Sequence, residues 1–249
     1  MQELHEFVLT FPRGLILSLL KVAIVSKLSR EARALAERIS LEPGMKIVGR
    51  GADAIVTLGG DGTLLLAERA FPGIPKVPAR AGGSLCLSCV EDDVVLVLRR
   101  HALGKAKVVC VRKLRAEIFR GGKKVASFTG ANDIVIRNSE PYHALRFSVS
   151  VGKSKGSFIG DGLVASTFFG STGYFRSVSG KSFKRGFGFA LNNPTVRKGP
   201  FHSNTGLAEF SLGRNGAVAC ADNGKGVFLM RAGDVAKFSK SKEEMRLLR

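Results

Sequence analysis

The chain has 249 residues, 45% hydrophobic and 24% charged, a composition typical of a soluble globular protein with one large core or two modest ones. Lysine and arginine number 39 against 20 acidic residues, a formal net charge of +19, which favours anionic partners such as nucleic acid, anionic lipid or phosphorylated small molecules. No run of six like charges occurs and the apolar GLILSLL is interrupted by Lys21, so we expect a cytoplasmic protein that binds neither nucleic acid nor membrane.

The N-terminal part of the chain alternates short apolar runs with segments of helical periodicity. In LSREARALAERIS the apolar residues recur every three or four positions, which predicts an amphipathic helix. The predicted elements, in chain order, are a strand over 20–27, a helix over 28–40, strands over 46–49 and 52–60, and a helix over 61–71. Residues 1–19 fit a helix or a strand equally well. The alternation predicts a Rossmann-like α/β domain with a parallel sheet over residues 1–106.

The pattern changes near residue 107, where short alternating runs are separated by frequent turn residues. Gly121-Gly122 between two such runs predicts a β-hairpin. The further predicted strands cover 145–152, 156–160, 162–167, 186–191, 207–213, 217–222 and 226–233. We expect a β-sandwich-like domain over residues 107–231. In the tail, residues 232–249, KSKEEMRLLR is expected to form a helix that packs back on the first domain.

The cysteines and histidines show no metal-ligand spacing. Cys86 and Cys89 form a lone CxxC without a second pair or nearby histidines, which is a weak zinc signal. We therefore expect these two residues, with Cys110 and Cys220, to be buried free thiols. No side chain is assigned as a direct metal ligand.

A glycine-rich turn, Gly59-Gly60-Asp61-Gly62-Thr63, lies between a predicted strand and a predicted helix. Glycines allow backbone N–H groups to line a concavity, and the N-terminus of the helix adds a partial positive charge. Both features suit a phosphate chain, and a carboxylate placed there suits a proton acceptor or a partner of Mg²⁺. The alternative is a tight turn in which Asp61 caps the helix.

Two later stretches carry polar groups at turns. Asn132 and Asp133 open a strand, where they suit a base edge or ribose hydroxyls, although Asn-Asp is also common in plain turns. Asp161, in a second Gly-Asp-Gly, suits sugar hydroxyls or is a turn residue. The Gly-Ser-Thr-Gly turn that follows suits a helix start, and Tyr174 offers a flat ring and a hydroxyl or packs in the core.

These three stretches, in this order, resemble the NAD kinase family, and its archaeal-like members in particular. That family has a GGDGT turn, then an Asn-Glu or Asn-Asp pair, then a run like DGLIVSTPTGSTAYSLS; this chain has GGDGTLLLAERA, NDIVI and DGLVASTFFGSTGY. The resemblance implies an active site between the two domains and transfer of a phosphoryl group from ATP or polyphosphate to the adenosine ribose 2′-hydroxyl of NAD. It also implies Mg²⁺ or another divalent cation, and a homodimer or homotetramer whose site is completed across a subunit contact.

By position in these motifs, the resemblance implies a role for each matching residue. Asp61 is expected to be the base or metal-linked carboxylate. The phosphate-binding turn would comprise Gly59, Gly60, Gly62 and Thr63. The NAD-binding residues would be Asn132, Asp133, Asp161, Thr172, Gly173, Tyr174 and Ser177. Of these, Asn132 and Asp133 are expected at the adenosine and Asp161 at the nicotinamide side.

The chain departs from the family's pattern in the segment PARAGGSLCLSC, where the family has a sequence like GINxGxLGFL. Arg80 stands at the position of the Asn and is a candidate phosphate contact. Leu85 and Cys86 replace a Gly-Phe pair, and Asp222, in ADNGKG, is an imperfect match to a late Asp-Gly.

Two other functions remain open on the sequence alone. One is a different kinase with a GGDGT turn, acting on a lipid or sugar; the lipid kinases usually have an Asn-Gly close behind the turn, which LLLAERAFPG lacks. The other is a non-catalytic protein that binds a dinucleotide or another polyanion, against which the intact Asp61 argues.

Overall fold

The structure is a computed structural model that describes residues 19–84 and 86–249. The undecided helix or strand over residues 1–18, and Leu85 of the departing segment, lie outside the described residues. Within the described part of the chain, no helix combines the length and the apolar character needed to cross a membrane.

The N-terminal part forms a parallel sheet with helical cover, as predicted. Its elements are β1 (Leu20–Ser26), α1 (Ser29–Ser40), β2 (Met45–Ile47), β3 (Ala54–Leu58), α2 (Asp61–Ala70), β4 (Lys76–Ala79) and α3 (Val94–Ala102). The strands lie in the order β2-β1-β3-β4 and all four run parallel. Every residue of β3 is buried, as expected for a central strand with both faces covered. Helix α1 buries Leu35 and Ile39 against this sheet.

The rest of the chain is predominantly β-structure. Its elements are β5 (Val108–Arg120), β6 (Lys123–Gly130), β7 (Asp133–Asn138), β8 (Leu145–Val151), β9 (Ser154–Gly160), β10 (Gly162–Thr167), a 3₁₀ helix (Phe169–Thr172), α4 (Tyr174–Ser179), β11 (Phe187–Asn192), β12 (Phe201–Ser203), β13 (Ala208–Arg214), β14 (Ala217–Ala221), β15 (Phe228–Met230) and β16 (Val235–Leu248). The predicted hairpin joins β5 to β6, with Gly121 at φ 54° and Gly122 at φ 78°. Two successive left-handed residues match the twist of the flanking strands.

Two packed sheets form this second part, which confirms the sandwich-like prediction. One is purely antiparallel, in the order β12-β11-β10-β7-β14-β15. The other extends the N-terminal sheet, because β16 pairs parallel with β4 and antiparallel with β5 and β13, which is followed by β8 and β9. Their facing apolar side chains, such as Leu114, Ile134, Phe189 and Phe210, make one core.

The tail KSKEEMRLLR lies in strand β16, so the predicted helix is wrong. After a shift in register between Lys240 and Glu244, this half of the strand pairs with β5. Met245 and Leu247 are buried and Arg246 between them is exposed, the period of two that a half-buried strand requires. The tail does reach the N-terminal sheet, through the pairing of Leu247 with Lys76.

Candidate active site

The glycine-rich turn connects β3 to α2 and presents the first turn of that helix. Gly59 has a φ of 151°, and a Cβ atom there would lie 2.5 Å from the hydroxyl oxygen of Thr63, so the turn requires glycine at this position. Gly60 occupies the N-cap position and Asp61 is the first helical residue. Because a glycine caps the helix, the side chain of Asp61 is available for other contacts, and the first N–H groups of α2 have no acceptor within the helix.

The carboxylate of Asp61 is held by the loop that contains Cys86 to Cys89, named here the CLSC loop (residues 86–89). The backbone N–H of Leu87 donates to Oδ2 of Asp61 at 3.1 Å, and that of Ser88 donates to Oδ1 at 3.2 Å. The hydroxyl of Ser88 also donates to Oδ1. A carboxylate has about four lone-pair sites, so this loop uses three of them.

Within the CLSC loop the cysteines form a disulfide, so the expectation of free thiols at these two positions is wrong. The Cα atoms of Cys86 and Cys89 lie 5.4 Å apart, because the turn between them brings the two ends within bonding distance. Cys110 is free but exposed, which also differs from the prediction, and Cys220 is free and partly buried. Arg80 donates from Nη2 to the carbonyl of Cys86 at 3.2 Å and so supports this loop.

Asn132 and Asp133 lie where β6 turns into β7, and Asp222 organises this turn. The carboxylate of Asp222 accepts hydrogen bonds from the backbone N–H groups of Ala131, Asn132 and Asp133 at 2.7, 2.7 and 3.1 Å. The amide of Asn132 donates to Oδ2 of Asp133 at 3.1 Å. Asp222, the imperfect match in sequence, therefore fixes the backbone of the matched pair.

The Gly-Ser-Thr-Gly turn packs directly on Asn132. A Cβ atom on Gly170 would lie 2.2 Å from the carbonyl oxygen of Asn132, so only glycine permits this approach. Thr167 donates its hydroxyl to the carbonyl of Ala131 at 2.6 Å and accepts from the N–H of Gly170 at 3.2 Å. The second and third motifs are thus joined into one rigid corner.

A cleft of about 380 Å³ brings parts of all three motifs together. It lies between the two halves of the fold, and Asp61, Asn132, Thr172 and Gly173 line it. The rest of its wall is formed by Leu65, Leu87, Ser88, Val109, Val111, Phe168, Phe169, Leu247 and Arg249. The cleft therefore combines one carboxylate, one guanidinium and an amide with apolar walls, the composition of a site for a polar ligand with a flat apolar part.

The other candidate residues lie outside the lining of this cleft. Asp133 is buried, 4% exposed, behind Asn132. Tyr174 accepts a hydrogen bond from Asn192 at 3.0 Å and packs beside the core of α4, and Ser177 is exposed on the same helix. Asp161 lies at the opposite end of β10 from Thr167, roughly 20 Å along the strand at about 3.3 Å per residue.

The cleft residues that the sequence does not predict include Leu87, Ser88 and Arg249. Leu87 and Ser88 lie in the departing segment, whose position after the GGDGT helix was the available signal. Arg249 carries no such signal, because the sequence predicts a helical tail and only the pairing of β16 with β5 brings this residue to the cleft.

Burial shifts the protonation equilibrium of the Asp133 carboxyl group towards its acid form. Its pKa is raised to about 7, first by burial and then by the neighbouring charge of Asp222. Burial also raises the pKa of Asp222, against the three N–H groups that lower it. Asp133 is therefore substantially protonated near neutral pH, and its acid form can donate a hydrogen bond.

We expect Asp133→Asn to remove a pH dependence of stability. Since the folded-state pKa of Asp133 is above its ordinary value of 3.8, the folded state binds more protons than the unfolded state between pH 4 and 7, and stability falls as the pH rises through this window. Asparagine does not titrate, so the variant should not lose free energy of unfolding across this window. In the wild type this loss should be a few kcal/mol, because each unit of difference between the folded and unfolded pKa of Asp133 corresponds to about 1.4 kcal/mol. Urea unfolding of both proteins from pH 4 to 8 measures this; parallel profiles would contradict the assignment.

Comparison with solved structures shows that this fold is shared with two known kinases. No protein-family model matches the chain. The yeast NADH kinase, solved with NADH, superposes with a TM-score of 0.76 at 17% identity over 93% of this chain and 83% of that one. An NAD kinase from Archaeoglobus fulgidus, solved with ATP, superposes with a TM-score of 0.69 at 17% identity over 92% and 94%.

Sequence relatives agree with the structural likeness. The NAD kinase of Heliobacterium modesticaldum is 36% identical over 135 residues, 53% of this chain and 48% of that protein. The NAD kinase of Natranaerobius thermophilus is 25% identical over 213 residues, 82% of this chain and 74% of that protein. The chain thus spans about half the length of the first relative and about three quarters of the second. The chain is thus similar in sequence to these NAD kinases and shares its fold with the two solved kinases.

Proposed function

We propose that this protein is an NAD kinase, which transfers a phosphoryl group from ATP or polyphosphate to the 2′-hydroxyl of the adenosine ribose of NAD. The observation that carries the proposal is the meeting of Asp61, Asn132 and the Thr172-Gly173 turn in a single cleft. These groups come from three separate parts of the chain, and each matches a motif of the family. The names of its relatives point to the same activity.

On the donor side, we assign phosphate binding to the glycine-rich turn that precedes Asp61, through the backbone N–H groups at the N-terminus of α2. The N–H of Gly59 donates to the carbonyl of Ala79 at 2.9 Å, so the N–H groups of Gly60 and Gly62 are the donors assigned to phosphate, while Gly59 shapes the turn. Asp61 accepts the proton of the attacking 2′-hydroxyl while the hydroxyl oxygen bonds to the transferred phosphorus and the bond from that phosphorus to the bridging oxygen of the donor breaks, which releases ADP or the shortened polyphosphate. Phosphoryl transfer depends mainly on alignment and on neutralisation of charge, so one carboxylate and a set of N–H donors are sufficient protein groups. The net charge of +19 attracts both anionic substrates.

On the acceptor side, Asn132 holds the adenosine part of NAD, and Thr172 and Gly173 border the adenine. Phe168 and Phe169 add an apolar wall suited to a flat base. Asp133 supports Asn132 from behind through their hydrogen bond. The rigid corner formed with Gly170 keeps this side of the cleft preorganised.

The residues of the cleft fit a divalent cation that arrives with the phosphates. Among residues 19–84 and 86–249, no group of three acidic, His or Cys side chains could hold a metal by itself. Mg²⁺ typically takes one or two protein carboxylates and completes its shell with substrate phosphates and water, and Asp61 is a carboxylate of this kind. When bound, the cation would supply charge neutralisation between phosphate oxygens.

A homodimer or homotetramer is part of the proposal. Asp161 is the candidate for the nicotinamide side, yet it lies roughly 20 Å from the corner at Thr167, given about 3.3 Å per strand residue. Its contact with the dinucleotide bound at Asn132 is therefore assigned to a second copy of the chain. We place the protein in the cytoplasm.

The test is incubation of the purified protein with Mg²⁺, NAD or NADH, and ATP or polyphosphate in turn. Formation of NADP or NADPH is the expected result. Phosphate incorporation into a lipid or a sugar, with none into NAD, would favour the alternative kinase. Binding of NAD or of nucleic acid without turnover in any mixture would favour the non-catalytic alternative. A steep loss of affinity on addition of salt would identify binding to nucleic acid.

A further inference from the structure

We propose that Arg249 binds a phosphate group of the phosphoryl donor in the cleft that contains Asp61, an inference that rests on the proposed function. Arg249 directly follows the last residue of β16. Its N–H donates to the carbonyl of Lys107 at 2.9 Å, and the N–H of Lys107 donates to its carbonyl at 3.2 Å. The main chain is therefore fixed while the side chain reaches the cleft.

Charge singles out this side chain. Of the described residues that line the cleft, Arg249 is the only cation, and among the described residues its guanidinium has neither a salt bridge nor a hydrogen bond. Nearby arginines are engaged elsewhere: Arg80 donates to the carbonyl of Cys86, and Arg69 donates to the carbonyl of Asp222. Arg249 is thus the available positive charge in the lining of the cleft that contains Asp61.

The surroundings of Arg249 favour a strong interaction with an anion. Partial burial lowers its pKa from the ordinary value, which reflects a guanidinium that has lost hydration without gaining a partner. The recess beyond it contains Glu91 and Asp92, and Asp92 is paired with Arg100. A phosphate would supply the missing partner, since the planar guanidinium donates two parallel hydrogen bonds to phosphate oxygens.

The experiment compares Arg249→Gln with Arg249→Lys and a matched control, Arg246→Gln. Arg246 lies three residues before Arg249, within β16, but lines a separate cavity beside Asp53 and Lys113. For Arg249→Gln we expect the KM of the phosphoryl donor to rise tenfold or more, since a hydrogen bond to a charged group is worth about 1.5–3 kcal/mol. The KM of NAD should change by less than about twofold, Arg249→Lys should recover part of the donor affinity, and Arg246→Gln should resemble the wild type.

Two results would overturn the assignment: an unchanged donor KM in Arg249→Gln, or equal increases in the KM values of donor and NAD. If the wild-type protein forms no NADP with any donor, the proposed function fails and a binding measurement decides Arg249 separately. Calorimetric titration with inorganic triphosphate then compares the wild type with Arg249→Gln. Weaker binding by the variant supports the anion site, and equal binding rejects it.

A second, independent observation concerns the CLSC loop. We infer that the disulfide between Cys86 and Cys89 is a redox switch that restrains Asp61. The two residues between the cysteines, Leu87 and Ser88, donate all three hydrogen bonds that this loop makes to the carboxylate. The disulfide links Cys86 and Cys89, the residues that flank these two donors. It therefore keeps the N–H groups of Leu87 and Ser88 directed at Asp61.

While the disulfide is intact, hydrogen bonds from the CLSC loop occupy three of the lone-pair sites of the Asp61 carboxylate. A dithiol reductant would transfer two electrons and two protons, so that Cys86 and Cys89 become thiols and the reductant becomes a disulfide. The opened loop loses its constraint, and Asp61 regains lone pairs for the acceptor hydroxyl or for Mg²⁺. Reduction is therefore expected to activate the site.

The test compares oxidised wild-type protein, the same protein treated with dithiothreitol, and Cys86→Ser/Cys89→Ser. Free thiols are counted by alkylation and mass spectrometry, turnover of NAD is measured, and hydrogen exchange follows a peptide containing Leu87 and Ser88. Reduction and the double variant should raise turnover severalfold and speed exchange in this peptide. Cys110→Ser serves as a matched control that leaves the response to dithiothreitol intact.

Equal exchange in the oxidised and reduced proteins would overturn the inference, as would the recovery of Cys86 and Cys89 as free thiols after oxidation. Faster exchange without any change in turnover would also reject control of Asp61. If no form of the protein turns over NAD, the proposed function fails, and the exchange comparison alone decides whether the disulfide holds the loop in place.

Discussion

Asp61→Asn is expected to lower turnover of NAD by a factor of about 100 or more, while folding and NAD affinity stay close to those of the wild type. Asparagine preserves the shape of the side chain and one acceptor oxygen for the CLSC loop, but it cannot take a proton or hold Mg²⁺ as a carboxylate does. Steady-state kinetics with the preferred donor, and calorimetry with NAD, measure the two parts of this expectation.

The matched control is Asp53→Asn, at the other end of β3. Asp53 accepts a hydrogen bond from the N–H of Lys21 at 2.9 Å and lines a different cavity. The Asp53→Asn variant makes the same change of charge as Asp61→Asn, but far from the cleft. Its turnover of NAD should therefore equal that of the wild type. Normal turnover in Asp61→Asn would remove the proposed role of this carboxylate.

Glu68→Gln is expected to lower the free energy of unfolding by about 3–5 kcal/mol, the usual effect of breaking a buried ion pair. Glu68 on α2 is 2% exposed and pairs with the buried Lys76, and also with Lys113 at 2.7 Å. Burial lowers the pKa of Lys76 against the raising effect of Glu68. Loss of the shared carboxylate leaves the buried ammonium group of Lys76 without an anionic partner and leaves Lys113 with the exposed Glu243 alone. Urea unfolding at neutral pH measures the loss.

Glu243→Gln is the control for this variant. Glu243 is the other partner of Lys113, at 3.3 Å, but it is exposed, so its removal should cost less than about 1 kcal/mol. The double variant Glu68→Gln/Lys76→Met, which removes one ammonium group together with the carboxylate, should be more stable than Glu68→Gln alone. Equal losses in Glu68→Gln and Glu243→Gln would contradict the importance of the buried cluster.

The parts of the site that sequence reasoning anticipated share a local backbone requirement. Gly59 needs a left-handed φ and has no room for a side chain, and Gly170 touches Asn132 too closely for a Cβ atom. Such constraints leave glycine patterns that are readable without a structure. The residues that were missed, Ser88 and Arg249, act through contacts distant in sequence and leave no local pattern.

Two wrong predictions, the helical tail and the free thiols at Cys86 and Cys89, also concern features that depend on contacts beyond the local sequence. The sequence alone predicts a helix for KSKEEMRLLR, but in the structure Met245 and Leu247 are buried, Arg246 between them is exposed, and this segment pairs with β5 as a strand. The neighbouring strand supplies the hydrogen bonds that a helix would otherwise provide, so tertiary pairing overrides local preference. Likewise, the pairing of Cys86 with Cys89 depends on the path of the loop around Asp61, which a CxxC alone does not specify.

The sequence by itself determined the parallel α/β part, the β-rich part and the three polar turns, because hydrophobic periodicity and glycine requirements act over a few neighbouring residues. Only the tertiary structure decided which polar groups meet. The bond from Ser88 to Asp61 joins residues 27 apart, and the bond from Asp133 to Asp222 joins residues 89 apart. Contacts over such separations depend on how the sheets pack, and that packing is a property of the whole chain.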